Sequence, residues 1–377
     1  MEFPAFGDAD AYATLGQSCA DFIVNLGSTA SSCYNGVRPV GILVYQAIPY
    51  LLTNDPLALN YITLLLNLTC LLMLVTAVLF LFRNLNNSTP GQRRRIDIIG
   101  ETAVVIFTLI ICIGYIPVRL SDIQSLAFFI ASLSILSNEK NRAKTIPLII
   151  AGLLAGTSVL LKQNYVVSIF FLVIFWVAFD LKNQTTNKFK HIFLFLAGTS
   201  VCLIQVAMAY HHAGVLWFYE PKIMALYDPS NIQPYVELVA YTDPAHSVYL
   251  TQLPTPVSKL EFTAVKFYEG FAKFYWSVYL DKPPFDISPY ILVFSKIQLI
   301  FLQLLLAGMF LAALATSLFK NKWITVTSLV AVSSGLLTAA IMHTENRYYV
   351  MTKLLCFIVV AVVLVNWIKK IRPRQNA

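Results

Sequence analysis

The chain has 377 residues, of which 58% are hydrophobic and only 12% charged, about half the charged fraction of an ordinary soluble domain. With a mean hydropathy of +0.68 it has too little polar surface to cover its apolar residues in water. The net charge of +8 does not point to nucleic acid, because the basic residues fall in short clusters between apolar runs and form no single stripe with interleaved aromatics.

The first 59 residues are polar by comparison and hold two acids, Asp8 and Asp10, in the string GDADAY at 7–12. Two of the six cysteines, Cys19 and Cys33, fall in the same stretch. They pair if it faces an oxidising compartment, a point that spacing alone leaves open. Cys70, Cys112, Cys202 and Cys356 lie inside apolar runs and read as small hydrophobes, and no Cys/His spacing fits a structural zinc site. Arg38-Pro39 opens an apolar stretch over 39–52. At about fourteen residues it fits an interfacial or re-entrant helix better than a span.

About nine runs are long enough to cross ~30 Å of hydrocarbon at ~1.5 Å per residue. They cover 60–82, 99–117, 121–137, 145–161, 164–181, 190–211, 291–319, 323–342 and 348–368. The predicted fold is therefore all-α, a polytopic transmembrane helix bundle with interfacial helices on its outer face. Its parts are a first outer loop (1–59), a bundle of about six helices (60–211), a long outer loop (212–290), and about three further spans with a short basic tail (291–377).

Lys and Arg beside spans are retained in the cytoplasm. One set of alternate loops holds Arg83 and Arg93 to Arg95, then Lys140, Arg142 and Lys144, then Lys182, Lys188 and Lys190, then Lys320 and Lys322, and last Lys369, Lys370, Arg372 and Arg374. These loops are assigned to the inside, which puts 1–59 and 212–290 outside. No cationic or apolar leader opens the chain to export that first loop, so one further span is expected upstream, giving about ten with both termini cytoplasmic.

Each short outer loop carries one basic residue: Arg38, Arg119, Lys162 or Arg347. Asp122 lies beside Arg119, Gln163 and Asn164 follow Lys162, and His343, Glu345 and Tyr348 surround Arg347. Any one of these alone reads more simply as an interfacial anchor. Together they need anionic partners, for which Asp122, Glu345 or a bound phosphate qualify. The loop 212–290 is rich in aromatics, as in Trp217-Phe218-Tyr219 and Phe274-Tyr275-Trp276, which suit either a membrane-interface belt or stacking on sugar rings. Within it 262–279 interleaves apolar residues with Lys266, Glu269 and Lys273, the pattern of an amphipathic helix lying on the membrane.

In layout and in four short motifs the chain resembles the GT-C superfamily, polytopic glycosyltransferases that take sugars from polyprenyl-phosphate carriers on the outer or lumenal side. GDADAY at 7–12 resembles the family's first-loop acid followed by a tyrosine, and RPVG at 38–41 its Arg-Pro-Pro-Gly-like turn. GLLAGTSVLLKQNYV at 152–166 resembles a Gly-rich helix that in many relatives ends in Thr-Arg-Pro, with Lys162-Gln163 here in place of that ending. ENRYYV at 345–350 resembles a late Arg-Tyr motif.

The resemblance implies an inverting transfer in which an acceptor hydroxyl attacks the anomeric carbon and polyprenyl phosphate leaves. Asp8 or Asp10 is then the general base. Arg347, Tyr348, Lys162 and Arg38 are the donor phosphate-binding candidates, and Asp122, Arg119, Glu345 and Gln163 support them. No cofactor is required; a divalent cation is a candidate, with Asp10 and Asp122 as its ligands. The expected partners are the lipid-linked sugar donor, a glycan, lipid or exported-protein acceptor, and the bilayer, in a bacterial inner membrane with the site facing the periplasm. A transporter or a lipid or glycan flippase is the alternative, opposed by the absence of a convincing internal repeat and by the scarcity of ionisable residues deep in spans. A non-catalytic assembly subunit is a third reading.

Overall fold

The computed structural model describes residues 7–25, 32–34, 38–86, 95–116, 121–182, 188–214, 216, 255–272, 291–315, 322–341 and 346–371. Among these residues every regular element is helical: α1 Gly7–Val24, α2 Val40–Leu52, α3 Pro56–Leu85, α4 Arg95–Cys112, α5 Asp122–Ser137, the short α6 Glu139–Arg142, α7 Thr145–Leu161 and α8 Tyr165–Lys182. They continue with α9 Lys188–Thr199, α10 Leu203–Ala213, α11 Pro256–Ala272, α12 Ile291–Ala315, α13 Lys322–Ile341 and α14 Val350–Ile371. Single 3-10 turns follow α4 and α9 and precede α14.

Each of the nine predicted runs corresponds to a helix, α9 and α10 forming one run through their 3-10 turn. Among the described residues six are long and apolar enough to cross a membrane: α3, α4, α9–α10, α12, α13 and α14. The other three, α5, α7 and α8, have 16, 17 and 18 residues, about 24–27 Å of helix. The chain is a multi-pass helical membrane protein.

Why these helices need lipid is legible in α3. Leu57, Tyr61, Leu65, Leu68 and Leu72 are exposed and recur every three or four residues, while Leu59, Thr63, Asn67, Cys70 and Leu74 form the buried stripe. Exposed leucines at helical spacing are costly in water and at home in hydrocarbon. Thr69, off the buried stripe, turns its hydroxyl back onto the Leu65 carbonyl at 2.8 Å, so no donor is left open to lipid.

The helices group into two compact units interleaved in sequence, one of residues 1–77, 114–166 and 189–231, the other of 78–113, 167–188 and 232–377. In the first, α5 and α7 pack as a hairpin, α1 lies on α2, and α2 and the turn after α9 rest on α7. Small residues set these approaches. A methyl added at Gly152 would meet the Phe195 carbonyl oxygen at 2.0 Å, and one at Gly198 the Ile149 oxygen at 2.2 Å. Gly156, one turn on from Gly152, is likewise closed off by Thr199, so the Gly152-xxx-Gly156 ridge lets two backbones touch.

In the second unit α14 is the hub, packing on α4, α12 and α13, with α11 laid across α13 and the turn 346–349. Phe107 stacks on Phe357 with centroids 4.1 Å apart, and Trp176 meets Trp323 at 6.0 Å. The amphipathic helix expected over 262–279 is α11, beginning at Pro256, a residue whose missing N–H costs nothing at a helix start. Positions 273–279 lie outside the described residues.

Candidate functional site

In the first unit the α5–α7 hairpin brings its two ends together. Asn138 reverses the chain by accepting the Lys140 and Asn141 N–H groups at 3.0 and 3.4 Å. The first residue of α5 and the first after α7 therefore lie at one end. These are Asp122 and Lys162. The Lys162 ammonium is paired with Asp122 Oδ1, and the two side chains are 13% and 4% exposed. Asp122 sits where a helix N-terminus favours negative charge, and Lys162 keeps its own N–H on the Ser158 carbonyl at 2.9 Å. Asp122 Oδ2 is buried without a hydrogen-bond partner, which leaves one carboxylate oxygen to accept from an incoming group.

Of the anions the sequence offered as partners for the outer cations, Asp122 thus goes to Lys162. Its expected partner Arg119 lies outside the described residues. The ammonium also competes with the candidate divalent ion at Asp122. Among the described residues no three His, Cys, Asp or Glu side chains gather as a metal site.

Arg38 is half-buried with its guanidinium 5.0 Å from the centroid of Tyr12, a cation–π contact. Pro39 then caps α2, whose first N–H, on Val40, is satisfied by Gln205 Oε1 at 2.7 Å. Cys19 and Cys33 are joined by a disulfide, and Tyr34 next to it stacks on His212 at 4.7 Å. These contacts tie Cys33 to α1 and Tyr34 to α10. Asp8 and Asp10 lie on the first turn of α1, Asp8 four residues before Tyr12; their side chains are outside the described set.

The same unit holds a polar cluster that the sequence reading missed. Gln124 Nε2 donates to Asn67 Oδ1 at 2.6 Å, Asn67 Nδ2 donates to the Ile116 carbonyl at 2.8 Å, and the Tyr45 hydroxyl donates to Asn67 Oδ1 at 3.2 Å. Gln124 Oε1 is buried and has no such partner. The available signal was an amide inside each of two apolar runs.

In the second unit the 3-10 turn Asn346–Tyr349 presents Arg347 and Tyr348, the guanidinium 5.4 Å from the tyrosine centroid. Glu345 lies outside the described residues. Tyr349 is 1% exposed and its hydroxyl has no hydrogen-bond partner. Two lysines are buried in the same unit: Lys353, which the sequence reading did not single out, at 0% exposure, and Lys266, read there as a charged residue of an amphipathic helix on the membrane, at 1%. Burial pushes Lys266 down to about 8.

A further ionic network, built on α4, was missed as well. Arg83 binds Glu101 through two hydrogen bonds of 3.0 and 2.9 Å. Lys369 reaches Asp97 at 2.5 Å and Asn86 at 3.2 Å, and Asn86 donates to Asp97 at 2.6 Å. Arg83 and Lys369 had read as topology signals only, whereas Asp97 and Glu101, four apart on one helix face, are their counter-charges.

Compared with protein-family models, with curated proteins and with solved structures, the chain matches none.

Proposed function

We propose that the chain is a membrane glycosyltransferase that moves a sugar from a polyprenyl-phosphate donor to an acceptor hydroxyl, with inversion, on the side that the basic-loop count assigns to the outside. The observation that carries this reading is the buried Asp122–Lys162 pair with its unpartnered carboxylate oxygen. Fixed charge in a site screened from water is what a reaction with a departing phosphate needs. A hydroxyl is a weak nucleophile, so a carboxylate takes its proton during attack. Asp8 or Asp10 fills that role, with Asp122 and Gln163 as supporting groups. Lys162 and Arg38 offset the charge that builds on the leaving phosphate. Arg347 and Tyr348 enter through the resemblance of ENRYYV alone, with Glu345 and Arg119 behind them.

The test is acceptor-dependent release of polyprenyl phosphate from a lipid-linked sugar mixture by the purified protein. Asp8→Asn or Asp10→Asn is expected to slow release by about 10²-fold or more, and Arg347→Ala to weaken it. No release from any donor, with all variants alike, would sink the proposal.

A transporter or flippase is the second reading. It gains from Lys353, wholly buried in the span Arg347–Ile371, and from Asp97, 1% exposed on α4, since ionisable groups inside spans often mark transport paths. Movement of a labelled lipid-linked sugar across proteoliposomes, lost in Lys353→Met while release chemistry is absent, would favour it.

A further inference from the structure

α11 and α12 meet at a polar contact on the exposed surface of the second unit. Gln303 Nε2, on α12, donates to the Tyr268 hydroxyl on α11, and both side chains are exposed. Gln303 lies within the span Val293–Leu311. Among the described residues of the six spans no other Asn or Gln side chain is exposed. The bond uses one amide N–H and one lone pair of the hydroxyl, which leaves a second amide N–H and the phenolic O–H to donate. Donors left open to hydrocarbon are costly, and Thr69 avoids that cost by turning its hydroxyl back onto its own helix.

Lys296 stands seven residues before Gln303 on α12, about 10 Å nearer the start of the helix and on nearly the same side of it. It is exposed, and its end of α12 is the one that the basic-loop count assigns to the outside. Exposed apolar side chains flank this column, Ile300 and Leu304 on α12 and Val265 on α11. A cation at headgroup depth, two open donors deeper in, and apolar walls beside them complement one kind of occupant. A phospholipid brings a phosphate, ester carbonyls below it, and acyl chains. A lipid with net negative charge suits Lys296 best, because a choline headgroup would add a second ammonium there. A second copy of the chain fits less well: copies in one membrane share their orientation, so Lys296 would face Lys296 at the same depth.

We propose that the α11–α12 contact binds an anionic phospholipid of the outer leaflet, its phosphate on Lys296 and its ester carbonyls on Gln303 and Tyr268. The site does not depend on the transferase reading. Bound there, the lipid bridges a span to α11, the helix that packs on the turn 346–349 and holds Gly270 against the ring of Tyr349. Occupancy therefore steadies α11 on that turn.

The test uses the full chain in nanodiscs of phosphatidylcholine, with and without phosphatidylglycerol. It reads hydrogen exchange of the α11 amides and the lipids retained in native mass spectrometry. Phosphatidylglycerol should slow α11 exchange and stay bound in preference to phosphatidylcholine. Lys296→Met should weaken that preference about fivefold, the effect of one lysine at an anionic membrane surface, and Lys296→Arg should keep it. Gln303→Leu and Tyr268→Phe should each weaken it about threefold. Lys370→Met, on the last turn of α14, should leave it unchanged. Every substituted side chain is exposed, so the variants should fold as the wild type does. Equal retention of the two lipids, a wild-type preference in Lys296→Met, or unchanged α11 exchange overturns the proposal. So does a particle of two chains that Gln303→Leu returns to one, which would make this face a contact between copies.

Discussion

Replacing Lys162 by methionine keeps the length and apolar stem of the side chain and removes only its charge. Asp122, 4% exposed, would then be a buried carboxylate without its counter-ion, and breaking such a pair costs about 3–5 kcal/mol. Lys162 itself is 13% exposed, so water can follow part of the way in, and about 3 kcal/mol is the better figure. Asp122→Asn should cost less, about 1–2 kcal/mol, because the amide oxygen still accepts from the ammonium. With both replaced no buried charge is left unpaired, and the double variant should fall about 2 kcal/mol short of the sum of the singles. Equilibrium unfolding in mixed micelles across the four proteins measures this coupling. Single-variant losses that add to within about 0.5 kcal/mol would refute the pairing as the reason these two loops meet.

Gly152→Ala should destabilise by about 2 kcal/mol or more, since its methyl would sit 2.0 Å from a backbone oxygen; Gly308→Ala, facing only Val360 at 3.4 Å, should be neutral or gain up to about 1 kcal/mol from helix propensity, and thermal unfolding in detergent compares the two. In phosphate-free buffer the stability of the wild type should rise between pH about 8 and about 10.5, because Lys266 releases its proton in the folded state first and the unfolded chain then binds more protons; Lys266→Met should flatten that rise, and an unchanged slope would show that this lysine is not the group responsible. Exchanging Cys19 and Cys33 for serine opens a link across 14 residues, with an expected local cost of about 3 kcal/mol; proteolysis of the first 40 residues should accelerate, and thiol labelling of the wild type should find these two cysteines only after reduction.

The helices were readable because apolar runs interrupted by clustered charge are a strong signal at membrane thickness. The turns at 138–144 and 162–164 also made Asp122 and Lys162 neighbours in depth before any side chain was placed. What stayed hidden was which partner each polar group takes. Asn67, Gln124 and Gln205 carry no charge, and their single amides vanish in the average of a leucine-rich window. Lys353 was visible as a charge inside the span 348–368, yet its burial follows from the packing of α14 on α4, α12 and α13, which no local pattern shows. Asp97 and Glu101 carried no sequence signal of their own, because their partners Arg83 and Lys369 come from other helices. The α11 boundary was likewise misplaced, because periodicity marks the apolar face of a helix better than its first turn.

The bond from Lys369 to Asn86 joins residues 283 positions apart, and Asp97 shares the same lysine. During synthesis the acid on α4 therefore waits through most of translation before its cation exists. Until then it must be held by Asn86 and water at the membrane surface, so α4 enters the bilayer with one end unfinished. Such a late closure is slow in the sense of high contact order. A chain interrupted anywhere before residue 369 would lack the ammonium that pairs with Asp97.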